Sequence, residues 1–103
     1  MSSTQDPLPE LDDLIHVAAR LRIIAILNEC DQAEFMFLLA ASGLTRGNLA
    51  THLAKLVEAG YILEDKRFVE RRPCTTYRMS EKGRKAYAQY LDTWRLITRA
   101  RRS

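Results

Sequence analysis

The stretch from Gly43 to Gly60 constrains this chain more than any other. Leu49, Leu53, Leu56 and Val57 stand at i, i+4, i+7 and i+8, which puts one apolar stripe along a helix. Thr45 precedes that stripe and suits an N-cap, where its hydroxyl accepts from a free backbone N–H. Gly60 follows Ala59 and suits the left-handed residue that closes a helix. The spacing therefore predicts a helix over about 45–59 with one buried face. At about 100° per residue, the opposite face presents Gly47, Asn48, Thr51, Lys55 and Glu58, with Arg46 and His52 on the flanks. Upstream, Phe35-Met36-Phe37-Leu38-Leu39-Ala40-Ala41 is a short apolar run that Ser42-Gly43 ends. It reads as a short core helix, with Phe35, Met36 and Phe37 as core residues. Two helices joined at a glycine turn make a helix-turn-helix.

The rest of the chain fits around that pair. Residues 1–10 are polar, with Pro7 and Pro9, and read as a flexible tail before a single domain over 11–103. From Leu11, apolar residues at 11, 14, 15, 18, 21 and 24 give helical spacing over about 18 residues. Asp12 and Asp13 suit its start, and a break near His16–Ala19 is the alternative, giving two helices. Asn28–Glu34 is a polar connection. Tyr61–Val69 and Cys74–Met79 alternate and are rich in β-formers, and Glu70-Arg71-Arg72-Pro73 between them reads as a charged turn. The hairpin spans 61–79. Ser80 then caps a last helix over about 80–101, whose apolar face is Tyr87, Tyr90, Leu91, Trp94 and Ile97. The fold class is mainly α with a β-hairpin wing, a winged helix-turn-helix.

Charge divides the chain. Residues 1–44 carry −5 and residues 45–103 carry +8, which gives the net +3. A basic second half points to a polyanion. The helix predicted over 45–59 has the form needed to enter a DNA major groove about 12 Å wide, its inner face packed and its outer face polar. Thr45, Arg46, Gly47, Asn48, Thr51, His52 and Lys55 are the candidate contacts there. Asn can address adenine, Arg and Lys guanine or phosphate, and Gly47 allows a phosphate close to the helix N-terminus. Lys66, Arg67, Arg71 and Arg72 are the candidate contacts of the wing, on flanking backbone or minor groove.

The segment Leu44-Thr45-Arg46-Gly47-Asn48-Leu49-Ala50-Thr51-His52-Leu53, continuing through Glu58-Ala59-Gly60-Tyr61-Ile62, resembles the recognition helix of small winged-helix transcriptional regulators. These lie between the MarR-like and ArsR-like groups. Arg71-Arg72-Pro73-Cys74-Thr75-Thr76-Tyr77-Arg78-Met79-Ser80-Glu81-Lys82-Gly83 resembles their wing and the start of their last helix, and Arg20-Leu21-Arg22-Ile23 their early helix. The resemblance covers roughly residues 11–97. It implies a homodimer on double-stranded operator DNA and a short strand near Ala33–Phe35 beside the wing. Cys74 departs from the usual polar or basic residue, and Ala18-Ala19 stand where a proline is usual. The long last helix outruns the surface of so small a domain, so Tyr87, Tyr90, Leu91, Trp94 and Ile97 are expected at a dimer interface.

Other functions find little support. His16, His52, Cys30 and Cys74 are scattered and lack the paired spacing of a metal site, so no metal and no cofactor is expected. The two cysteines read as ordinary thiols of a reduced, cytoplasmic chain. Asp12 and Asp13 are adjacent and diverge on a helix, which makes them poor catalytic partners, and an enzyme is not expected. The apolar runs, Ile23–Leu27 and the longer Phe35–Ala41, are far short of the roughly 18 residues of a membrane span. A winged-helix protein-interaction module and a ligand- or redox-controlled sensor on the same fold remain as alternatives, with no effector named by the sequence.

Overall fold

The computed structural model describes residues 10–100. Expectations for residues 1–9 and 101–103 lie outside the described residues. Four helices and three strands follow in the order α1 (Ala18–Asn28), β1 (Ala33–Glu34), α2 (Phe35–Ser42), α3 (Arg46–Glu58), β2 (Ile62–Val69), β3 (Arg72–Met79) and α4 (Glu81–Ala100). The strands form one antiparallel sheet in the order β1-β3-β2. The fold is a winged helix-turn-helix, and the short strand beside the wing is present.

The first helical stripe is broken. The Asp12 carboxylate accepts from Leu14 N at 2.9 Å, and His16 N donates to Asp12 O at 2.8 Å, so residues 12–16 make a single capped turn. Val17 is extended (φ −133°, ψ 124°), and α1 starts only at Ala18. Asp12 is thus the cap of an isolated turn and also accepts from the Tyr61 hydroxyl. Of the two sequence readings, the break is the one realised. Ile15 from the turn still reaches the core beside Ile23, Ile24 and Leu27 of α1.

The eight residues of α2 bury one face only. Leu38 and Ser42 are buried, Phe35 and Leu39 half-buried, and Met36 and Phe37 are more than half exposed. Met36 and Phe37 are therefore not core residues: positions 35, 38, 39 and 42 fill the inward stripe, and 36 and 37 fall outside it. Gly43 (φ 71°) ends α2 in the left-handed conformation that the turn requires and that a side chain would resist. Arg22 Nη1 on α1 donates to Ser42 O at 2.7 Å, which ties the end of α2 to the helix beneath it.

α3 carries both of its expected ends. Thr45 Oγ1 accepts from Asn48 N at 3.2 Å. At the other end Tyr61 N donates to Leu56 O and Gly60 N to Val57 O, both at 3.0 Å, the paired closure of a Schellman motif. Leu49, Leu53 and Leu56 are buried against α1 and α2, and Ile62 continues that core into β2.

The hairpin turn is tighter than the sequence indicated. Val69 pairs with Arg72 and Phe68 with Pro73, so only Glu70 and Arg71 lie between the strands. Both have positive φ, 52° and 66°. That is the handedness of a two-residue hairpin turn matched to the twist of its strands. Arg72 and Pro73 belong to β3, not to the turn. Proline is accommodated because the Phe68–Pro73 pair follows a hydrogen-bonded pair and needs no N–H. β1 faces only Tyr77 and Thr76, so the other edge of β3 is free of β1 at Pro73.

α4 is locked at its root. Ser80 Oγ accepts from Gly83 N at 2.9 Å and donates to Gly60 O. A Cβ on Gly83 would stand 2.1 Å from Tyr61 O, so the helix and the base of the wing touch backbone to backbone. Arg84 Nη1 donates to Asn28 O at 3.3 Å and to Asn28 Oδ1 at 3.2 Å, across the C-terminus of α1. No helix among the described residues is long and apolar enough to cross a membrane.

Candidate nucleic-acid interface

The outer face of α3 is clear of the fold. Thr45, Arg46, Gly47, Asn48, Ala50, Thr51, Ala54, Lys55 and Glu58 are exposed. Apart from Thr45, whose hydroxyl caps α3, and Arg46, the expected contact residues Gly47, Asn48, Thr51 and Lys55 stand on one strip. A Cβ on Gly47 would meet nothing within 4 Å, so the helix N-terminus is open to an approaching group. Free N–H groups and the helix dipole favour an anion there.

Two of the α3 residues are more constrained. The Arg46 guanidinium lies 5.8 Å from the centroid of the Phe35 ring, and its Nη2 is 3.8 Å from Met36 Sδ. The half-buried Phe35 and the exposed Met36 of α2 thus steady this arginine. His52 is half-buried on the flank, and its Nδ1 is enclosed without a hydrogen-bond partner. Burial, then the charges of Arg20 and Lys55, hold its pKa below 6.5. A neutral imidazole offers fewer donors to a phosphate than the exposed Lys55 beside it. Arg20 itself, half-buried with Nε donating to Leu14 O at 2.7 Å, adds a cation on this flank that periodicity did not mark.

The wing divides its basic residues. Successive strand residues point to opposite faces. Lys66 therefore shares a face with Ile62, Glu64 and Phe68, while Arg67 and Arg72 share the other with Asp65, Val69 and Cys74. Arg71 sits in the turn itself. Arg67 Nε is 2.7 Å from Asp65 Oδ2, and Lys66 Nζ is 3.9 Å from Glu64 Oε1, all exposed pairs that water and salt weaken. Arg71 and Arg72 make neither of these ion pairs, which leaves the tip as the most available cationic part of the arm.

On the second face, a groove of about 470 Å³ is bordered by Cys30, Glu34, Phe37, Asp65, Arg67 and Cys74. Nothing in the spacing of the two cysteines indicated that they share a groove. Cys74 Sγ is 3.4 Å from Glu34 Oε1, and this carboxylate, more than burial, pushes the thiol pKa up.

On α4, Tyr90 is 5% exposed and its hydroxyl lies 2.8 Å from His16 Nδ1. It packs within its own chain. Trp94 is 46% exposed, and Tyr87, Leu91 and Ile97 are half-buried. Between α1 and α4 runs an apolar groove of about 660 Å³ bordered by His16, Val17, Leu21, Tyr87, Leu91 and Trp94.

Residues 19–97 match the family described as winged helix DNA-binding domain. The chain belongs to that family. An uncharacterized protein of Methanocaldococcus jannaschii is 33% identical over 78 residues, 76% of this chain and 85% of that one. A transcriptional regulator homologue from Pyrococcus horikoshii superposes with a TM-score of 0.80 at 23% identity, over 85% of this chain and 87% of that chain. A transcriptional regulator of the MarR family from Enterococcus faecalis does so with a TM-score of 0.70 at 19% identity, over 87% and 83%. The winged-helix fold of this chain is that of MarR-like regulators. Its α3 is the winged helix's second helix-turn-helix element, the one with the exposed polar strip.

Proposed function

We infer that this winged-helix chain is a sequence-specific transcriptional regulator that binds duplex DNA as a homodimer in the cytoplasm, working as one domain without catalytic chemistry. The observation that carries the reading is the polar, unobstructed strip of Gly47, Asn48, Thr51 and Lys55 on α3, held on a buried leucine stripe. α3 enters the major groove. Asn48 and Thr51 address base edges, and Thr45, Arg46, Gly47 and Lys55 hold phosphates, with His52 at the margin. Arg71 and Arg72 reach the flanking backbone or minor groove, assisted by Lys66 and Arg67.

Dimerisation is supported by α4. On its outer face Trp94 lies exposed beside Tyr87, Leu91 and the half-buried Ile97. A second copy covering that face would also orient two recognition helices for half-sites one turn of DNA apart. A redox-controlled version of the fold is disfavoured at Cys74, because the carboxylate of Glu34 opposes the thiolate that oxidation needs.

The test is Asn48→Ala, measured on duplexes selected from a random library by the full chain and on unselected duplex. A base-reading Asn48 costs about 1–3 kcal/mol on the selected duplexes and little on the unselected. Equal losses on both would overturn the base-reading role.

A further inference from the structure

Phe68 is 78% exposed, more than any other large apolar residue among those described. It stands beside Pro73 in the strand register, two residues before the Glu70–Arg71 turn. The pleat puts this pair on the same face as Lys66 and Thr75. At the base of that face Ile62, Tyr77 and Met79 are buried in the core, so its outer end overhangs the domain. An isolated exposed apolar residue on a surface is unremarkable in itself. Here two apolar rings end an arm, with a cation behind them at Lys66 and another ahead at Arg71. An added protein strand is a poor occupant, since the free edge of β2 carries Glu64-Asp65-Lys66-Arg67 in mixed sign, a sequence that blunts edge pairing.

We propose that Phe68, backed by Pro73, is an apolar wedge that enters the minor groove of duplex DNA and packs against a base step there. This rests on the DNA-binding reading above. An aromatic ring has no hydrogen bond to offer the groove, so it reads how readily a step opens, which is greatest at pyrimidine–purine steps. Pro73 has a fixed φ and no N–H, so the ring is backed by a stiff surface that leaves no donor unmet. Arg71 and Lys66 supply the phosphate contacts on either side of the ring. Phe68 thereby sets a preference for flexible flanking steps without neutralising any phosphate.

The probe is duplex DNA selected from a random library by the full chain, with 2-aminopurine at the steps flanking each half-site. Phe68→Ser is compared with Phe68→Leu, which keeps an apolar wedge; the site is exposed, so both fold. Phe68→Ser is expected to lose about 10-fold on selected duplexes and less than about 2-fold on unselected ones, the size of a lost step contact. Its slope of log K against log[salt] stays that of the wild type. 2-Aminopurine fluorescence rises on binding of the wild type and of Phe68→Leu, and not of Phe68→Ser. Wild-type affinity and fluorescence in Phe68→Ser would overturn the wedge while leaving DNA binding intact. A reduced salt slope would overturn it too, making the change a displaced phosphate arm. So would altered self-association with unaltered DNA binding. Failure of the wild type to bind any duplex would remove the parent reading and the wedge with it.

Discussion

His52 shows how one residue can face two ways. Its sequence position puts it on the flank of α3, and the structure half-buries it with an unpartnered Nδ1 near the charges of Arg20 and Lys55. Its pKa is lowered in the folded chain, so protonation favours the unfolded state. The stability it contributes is present above its ordinary 6.5 and falls as pH drops below that value. Unfolding by urea should therefore show a midpoint that falls as pH drops through and below 6.5, and His52→Gln should flatten that part of the profile. An unchanged profile in the variant would assign the acid loss to other groups. Tyr61 behaves oppositely: burial and the Asp12 carboxylate raise its pKa to about 12, so its contribution is lost only as pH rises from 10 toward 12.

At the scale of elements, legibility followed locality. α3 was readable because cap, stripe and closing glycine lie within one short window. The same holds for the strand pattern of the wing. The two-residue turn was not readable, since its positive φ values fall on Glu70 and Arg71, neither of which carries the glycine or asparagine signal such turns usually show. The split of the first helix turned on Asp12 capping its own turn and reaching Tyr61, a partner far along the chain. The bonds from Arg22 of α1 to the end of α2 and from Arg84 of α4 to the end of α1 are equally long-range, and no period announces them. Gly83 is another such case. It sits inside a helix, where alanine ordinarily stabilises, yet here a Cβ meets the Tyr61 carbonyl at 2.1 Å. Gly83→Ala should lower stability by about 1–3 kcal/mol through overpacking, seen as a lower Tm. A Tm at or above wild type would mean that α4 and the wing base separate easily. The opposite case is Gly47, which touches nothing and leaves the helix N-terminus open.

Over the whole molecule, the candidate site was legible as a set of residues and not as an arrangement. Gly47, Asn48, Thr51 and Lys55 came together on one strip. The wing cations separated, Arg67 and Arg72 onto one face, Lys66 onto the other and Arg71 into the turn, and Phe68 shares the Lys66 face. Tyr90 turned inward to His16, which leaves Trp94 at the centre of the α4 face proposed for dimerisation. Sedimentation at micromolar concentration is expected to give a dimer, and Trp94→Ala to weaken it by about 2 kcal/mol. An 11.8 kDa monomer for the wild type would contradict the dimer.

Binding of the full chain to unselected duplex DNA over a range of salt tests the central claim most directly. A recognition helix and wing that grip phosphates give log K falling linearly with log[salt], with a slope of about −0.9 for each phosphate neutralised. Arg71→Gly removes a guanidinium while relieving a positive φ, so it should keep or raise stability. It should also flatten the slope by about 1 per protomer, or about 2 for a dimer. Binding that is absent at low salt, or that does not change with salt, would contradict a DNA-binding role for this winged helix.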